Sequence, residues 1–231
     1  EMIGKGKAGK GAVWVARRVP DDCISGHANH ARIHQFPLND TPDQTRYSAD
    51  VIDFARSQGY YPASGKDADF SFSLAYAGKD SGSLRGCDAR VWSYFNRHSD
   101  GAEAYLPWIL EGDESALMPL WVKPSKPVSV RDVQAMMRDH FEDTPFDMTT
   151  DIGAGPYKVP YRWRPMSFEV DSVEYLHERA IATQQTGFSF VSQMRDDVPD
   201  AMKAILWFGC DDANTCVYVP IFCGITEVPP A

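Results

Sequence analysis

Helix-like and strand-like segments do not alternate regularly along this chain, and that order constrains the fold more than any single motif. Val13-Trp14-Val15-Ala16-Arg17-Arg18-Val19 is rich in β-branched and aromatic residues. Pro20-Asp21-Asp22 then turns the chain into Cys23-Ile24-Ser25, so the two runs read as a hairpin. Helices come next. Ser48 caps a segment with Val51, Ile52 and Ala55 at helical spacing, stopped by Gly59. Asp88 opens a second with Val91, Trp92 and Phe95 on one face, and Ser129 caps a third in which Val130, Val133, Met137 and Phe141 recur. From residue 144 the breakers Thr144-Pro145 and Gly153-Ala154-Gly155-Pro156 precede an extended, proline-pinned loop over 157–165. Strand-like runs follow at 187–191, 205–209 and 217–222, with Asp211-Asp212-Ala213-Asn214 turning between the last two. Helices set between hairpins predict an α+β fold: a mixed or antiparallel sheet with helices on its faces.

At 231 residues the chain suits one large domain or two small ones, and 43% hydrophobic residues supply a core. A net charge of −9 argues against a nucleic-acid surface, which needs a basic patch. No apolar run approaches the length of a membrane span, and the start has no signal-peptide pattern. The chain opens Glu1-Met2-Ile3-Gly4 without an initiator methionine, so an internal fragment of a longer protein is expected and localisation is unreadable. Five cysteines without a CxxC pair make a thiolate zinc site a poor reading. Cys210 and Cys216 sit where a hairpin would let them meet, but scattered core thiols are the plainer expectation.

Three of the six histidines, His27, His30 and His34, fall at helical spacing within residues 24–38. A helix would gather them into a metal-ligand stripe. The preceding strand-and-turn pattern and Gly26 favour extension, which puts His27, Asn29 and Ile33 on one face and His30, Arg32 and His34 on the other. No metal is therefore expected. The chain has no Gly-x-Ser-x-Gly elbow, P-loop, dinucleotide fingerprint or His-Glu-x-x-His. The glycine- and lysine-rich run over 4–11 lacks the Gly-Lys-Ser/Thr ending of a phosphate cradle and reads as a hairpin or loop. Residues alone reach a mixed α/β domain, part of an enzyme.

Four stretches go further. The hairpin Gly11-Ala12-Val13-Trp14-Val15-Ala16-Arg17-Arg18-Val19-Pro20-Asp21 leads into Gly26-His27-Ala28-Asn29-His30-Ala31-Arg32-Ile33. Leu84-Arg85-Gly86-Cys87-Asp88-Ala89-Arg90-Val91-Trp92, Gly153-Ala154-Gly155-Pro156-Tyr157-Lys158 and Thr183-Gln184-Gln185-Thr186-Gly187-Phe188-Ser189-Phe190 complete the set. Together they resemble the dipeptidase A family of cysteine peptidases, N-terminal-nucleophile hydrolases similar to penicillin V acylases and bile-salt hydrolases. The matches run on to Cys223-Gly224-Ile225 and so cover nearly the whole chain.

The resemblance implies that residues 1–231 are a portion of one catalytic domain, a four-layer αββα sandwich that hydrolyses dipeptides without a cofactor. It also implies a cysteine nucleophile made N-terminal by processing, whose own α-amino group handles the proton. Glu1 is not cysteine, and none of the five cysteines can become an N-terminus without discarding a matched segment. The strand carrying the nucleophile is thus expected to lie outside the chain, which by itself would be inactive without that missing N-terminal segment. By analogy with the acylases, Asn29 matches an oxyanion-hole asparagine and Arg90 the arginine near the nucleophile. The residue-level alternatives are a polar hairpin residue for Asn29 and a helix-start ion pair with Asp88 or Glu103 for Arg90. Tyr157, Arg162, Trp163 and Arg164 are candidates for holding a substrate carboxylate, or else form a structural loop. The other functional readings are an amidase acting on acyl amino acids, or a non-catalytic binding module of the same fold. Members of such families often assemble, which leaves room for a homo-oligomer.

Overall fold

The structure is a computed structural model and describes residues 1–6, 9–162 and 167–227. Two compact units are formed, Glu1–Lys126 and Pro127–Ala231. Both combine helices with antiparallel strands, an α+β fold as expected. Among the described residues no helix is long and apolar enough to cross a membrane.

In the first unit, β1 (Met2–Gly4) and β2 (Ala12–Arg17) form an antiparallel hairpin, with Ile3 opposite Val13. The Lys5 N–H donates to the Gly11 carbonyl (3.2 Å), which extends the strand pairing toward the glycine-rich run, whose residues 7 and 8 lie outside the described residues. The far edge of β2 is occupied by β4 (Thr45–Tyr47), giving the order β1-β2-β4. This overturns the expected hairpin between residues 13–19 and 23–25. Both edges of β2 are taken, and β3 (Ile24–Ser25) pairs instead with β5 (Trp121–Val122). Helix α1 (Val51–Ser57) starts from Asp50, not Ser48, whose hydroxyl accepts the Trp14 N–H and so fastens β2. Gly59, at φ 74°, takes the left-handed conformation past its end. Val13, Val15, Ile33, Phe36, Val51, Ile52, Ala55, Phe70 and Phe72 make the core here. Each larger side chain contributes about 1.5–3 kcal/mol of burial.

Helix α2 (Phe72–Tyr76) is capped by the Ser71 hydroxyl, which accepts the Leu74 N–H. The short α3 (Ser81–Ser83) runs through a π-turn, Leu84–Asp88, into α4 (Ala89–His98). Val91, Trp92 and Phe95 are buried, as their spacing predicts. Asp88 does not cap α4, because its own backbone is helical and its carboxylate is engaged elsewhere. Helix α5 (Leu106–Glu111) places Trp108 and Ile109 in the interior.

In the second unit, α6 (Val130–Met136) opens on a complete capping box between Ser129 and Asp132. It is shorter than its apolar rhythm suggests. Phe141, expected on its face, lies beyond the end at φ 64°, fully buried. A hairpin that the residue pattern does not announce, β6 (Ser167–Val170) with β7 (Val173–Leu176), turns on Asp171 and Ser172, both left-handed. The strands β8 (Phe188–Met194), β9 (Ala204–Cys210) and β10 (Val219–Phe222) form an antiparallel sheet in the order β10-β9-β8, close to the expected runs. Phe188, Phe190 and Met194 lie at alternate positions of β8 and are exposed. The five cysteines are free thiols, with Cys216 buried and Cys210 exposed.

Candidate active site

The segment 26–34 is neither helix nor strand. It is irregular backbone held by side chains, which corrects the two-faced strand reading: strand structure ends at Ser25, and Asn29 sits at φ 60°. Asparagine is among the few residues that tolerate the left-handed region. Gly26 lets the segment press on α4, since a Cβ there would lie 3.0 Å from Val91 and 3.2 Å from Tyr94.

Several side chains and backbone groups fix the rest of the segment. His30 is buried, with Nδ1 2.8 Å from Asp88 Oδ1 and Nε2 2.8 Å from the Gly78 carbonyl oxygen. The Trp108 indole donates to the second Asp88 oxygen (2.9 Å). Arg32, only 2% exposed, donates to the Gly26 and Pro119 carbonyls and lies over the Phe95 ring. The Glu1 carboxylate accepts the backbone N–H groups of Arg32 and Ile33. On the far side, Phe72 and Ser73 donate their N–H groups to the His34 and Ile33 carbonyls. The Ser73 hydroxyl also meets His34 Nδ1. Burial, reinforced by Arg32, pulls His34 down to about 4, so this ring is neutral at pH 7. His30 and His34 thus have separate partners, and His27 Nε2 lies 3.7 Å from Glu1 Oε1. Among the described residues, no group of three or more His, Cys, Asp or Glu could hold a metal ion.

On this fixed segment Asn29 stays exposed, and Arg90 reaches it from the first turn of α4. The guanidinium donates Nε–H to the Gly86 carbonyl (2.9 Å), and Nη2 to the Ala28 carbonyl (3.2 Å) and to Asn29 Oδ1 (3.1 Å). Arg90 therefore joins the 26–34 segment instead of pairing with Asp88, whose oxygens serve His30 and Trp108. Guanidinium has only donors, so the oxygen end of the Asn29 amide must face it. The Nδ2 donors are left directed away from Arg90. The structure thus brings together the two candidates that lie sixty-one residues apart in sequence.

The sequence has relatives among known proteins. The Peptidase family C69 model matches residues 1–231. The chain belongs to peptidase family C69. A probable dipeptidase of Latilactobacillus sakei is 29% identical over 211 residues, covering 90% of this chain and 38% of that protein. One from Salmonella dublin is 25% identical over 228 residues (97% and 45%), and dipeptidase A of Lactobacillus helveticus 22% over 225 (94% and 40%). The chain spans about two-fifths of the length of these relatives.

The remaining candidates lie in the second unit of this C69 chain. Tyr157 ends a short 3-10 segment, Ile152–Tyr157, and is 88% exposed. Arg162 is 7% exposed in its side chain and donates to the carbonyls of Met148, Val159 and Tyr161 and to Asp151. Its donors hold the loop that carries Tyr157. Trp163 and Arg164 lie outside the described residues. Sequence reasoning missed the roles of His30, Arg32 and Asp88 in fixing the segment. Only Gly26, a glycine before a polar cluster, marked the close approach to α4.

Proposed function

We propose that this chain supplies the oxyanion side of a cysteine dipeptidase active site. The observation that carries the reading is the Arg90–Asn29 contact, which fixes the amide with its N–H donors free to meet a developing negative charge. Family C69 membership and relatives named as dipeptidases support peptide-bond hydrolysis as the reaction. In this reading a cysteine thiolate from outside residues 1–231 attacks the scissile carbonyl, and the cysteine's α-amino group takes and returns the proton. As the carbonyl oxygen gains charge, Asn29 Nδ2 donates to it; one such donor contributes roughly 100- to 1,000-fold in rate. Arg90 holds the Asn29 amide and adds positive potential near the oxyanion. Tyr157 is the candidate contact for the substrate, with Arg162 shaping its loop. The apolar outer row of β8 supports the sandwich reading, since Phe188, Phe190 and Met194 suit cover by a second sheet.

The test compares dipeptides with N-acyl amino acids as substrates of the family-length protein, with and without its nucleophilic cysteine. Dipeptide cleavage that vanishes with the cysteine and ignores chelators is expected. Cleavage that survives the cysteine change, or that needs a chelatable metal, overturns the reading. Preference for acyl amino acids would favour the amidase.

A further inference from the structure

His30 touches no reacting atom, yet both of its ring nitrogens face acceptors. The Gly78 carbonyl can only accept, so Nε2 carries a hydrogen. The 2.8 Å contact between Nδ1 and Asp88 Oδ1 needs a second proton, and the other Asp88 oxygen already accepts from Trp108. A neutral imidazole beside an ionised carboxylate can satisfy one of these contacts but not both. From these contacts we infer that His30 is a positioning residue: an imidazolium buried against Asp88 that locks the 26–34 segment to α4 and so sets where the Asn29 amide stands. The inference rests on the oxyanion reading of Asn29 for its functional consequence, though not for the protonation itself.

The surrounding charges agree with the geometry. Burial by itself would push the His30 ring down, but the hydrogen bond and charge of Asp88, the Gly78 carbonyl and Glu1 outweigh it and hold the ring above its ordinary 6.5. The other groups acting in this cluster are Arg32, His27 and His34 of the same segment, Glu1 from the edge of β1, and Asp88 from the start of α4. Neutral His34 and exposed His27 add little opposing charge at pH 7, and Arg32 is turned onto backbone carbonyls. Asn29 is the residue before His30, so the Asp88–Gly78 clamp on the His30 ring also anchors the backbone from which the Asn29 amide projects.

Nitrogen-15 NMR on the chain reads the protonation, and kinetics in the family-length protein read the consequence. Both His30 nitrogens should be protonated at pH 7, titrating above 6.5. His30→Gln carries its donors on one end only and turns an accepting oxygen toward the other acceptor, so it breaks one contact. It should lower kcat on dipeptides roughly 100-fold with KM little changed, as expected for a misplaced group rather than lost binding. Asp88→Asn should move the alkaline limb of the kcat profile to lower pH. A His30 ring that is neutral at pH 7 overturns the inference without any activity measurement. So does a folded His30→Gln with an unchanged Asn29 amide resonance and full kcat. Should the wild-type protein cleave no dipeptide, the functional reading falls, while the His30 titration and the Asn29 resonance still decide the latch.

Discussion

Replacing Asn29 by glycine isolates the proposed oxyanion donor. At φ 60° an alanine would meet the left-handed penalty of roughly 1–2 kcal/mol, mixing loss of fold with loss of chemistry. Glycine accepts that backbone freely and deletes only the amide. Asn29 is exposed, so the structural loss is the hydrogen bond to Arg90, at most about 1 kcal/mol. The catalytic loss is larger by design: removing one preorganised donor raises the barrier by about 2.7–4 kcal/mol, or 100- to 1,000-fold in kcat. Asn29→Asp is the matched control. It keeps an oxygen for Arg90 and tolerates the backbone, but it puts a negative charge where the oxyanion forms, so it should be at least as inactive as the glycine variant while melting no lower than wild type. The assay is steady-state hydrolysis of a dipeptide by the family-length protein, with thermal melts alongside. A glycine variant within about threefold of wild-type kcat refutes the assignment, because no oxyanion donor is that dispensable.

Four further outcomes rest on the same geometry. Arg90→Lys cannot reach Gly86 and Asn29 together, and should cost roughly tenfold in kcat with an unchanged melting curve. Trp108→Phe strands a buried Asp88 oxygen and should cost about 1–3 kcal/mol in urea unfolding. Gly26→Ala brings a methyl to 3.0 Å from Val91 and should cost about 1 kcal/mol or more by overpacking, read by the same unfolding curve. The pH dependence has two signs. His34 is held down to about 4, so its contribution is complete above pH 6.5 and is lost as pH falls toward 4, with an upper limit of about 3 kcal/mol reduced by the ring's residual solvent contact. His30 is held above 6.5, so its contribution is complete below that value and is lost as pH rises through the raised one. Stability against pH should therefore show both limbs, and His34→Gln should flatten the part of the acid limb between pH 6.5 and 4; a curve unchanged by that substitution contradicts the assignment.

What was legible in the sequence was local. The Ser129 capping box, the face formed by Val91, Trp92 and Phe95, and the strands over 188–222 each depend on residues within a few positions of one another. Strand partners were not legible. Residues 13–17 look the same whether the next strand is at 24 or at 45, and the choice depends on which edge other elements occupy. The β6–β7 hairpin was hidden because Asp171-Ser172 carries no glycine to announce a left-handed turn. Asn29 and Arg90 were singled out as candidates only through resemblance, and their contact is a property of the folded chain. His30 and Asp88, fifty-eight residues apart, left no sequence pattern at all.

The 26–34 segment is an expensive way to make a loop if stability were the aim. His30, Arg32 and Asp88 are all buried, and the Glu1 carboxylate is only 7% exposed. Replacing such buried charges by apolar groups of similar volume is often neutral or stabilising, whereas removing one partner costs about 3–5 kcal/mol. The formal charges nevertheless balance, two positive against two negative, and every one of these groups ends on a specific backbone or side-chain atom. What an apolar core could not supply is direction. Hydrophobic contacts would let a nine-residue segment settle in several arrangements, while hydrogen bonds donated by His30 and Arg32 and accepted by Glu1 select one. An oxyanion donor works only when it is held in place before the charge develops. On the proposed oxyanion reading, the chain puts its polar groups where position matters, around the exposed Asn29 amide that Arg90 orients.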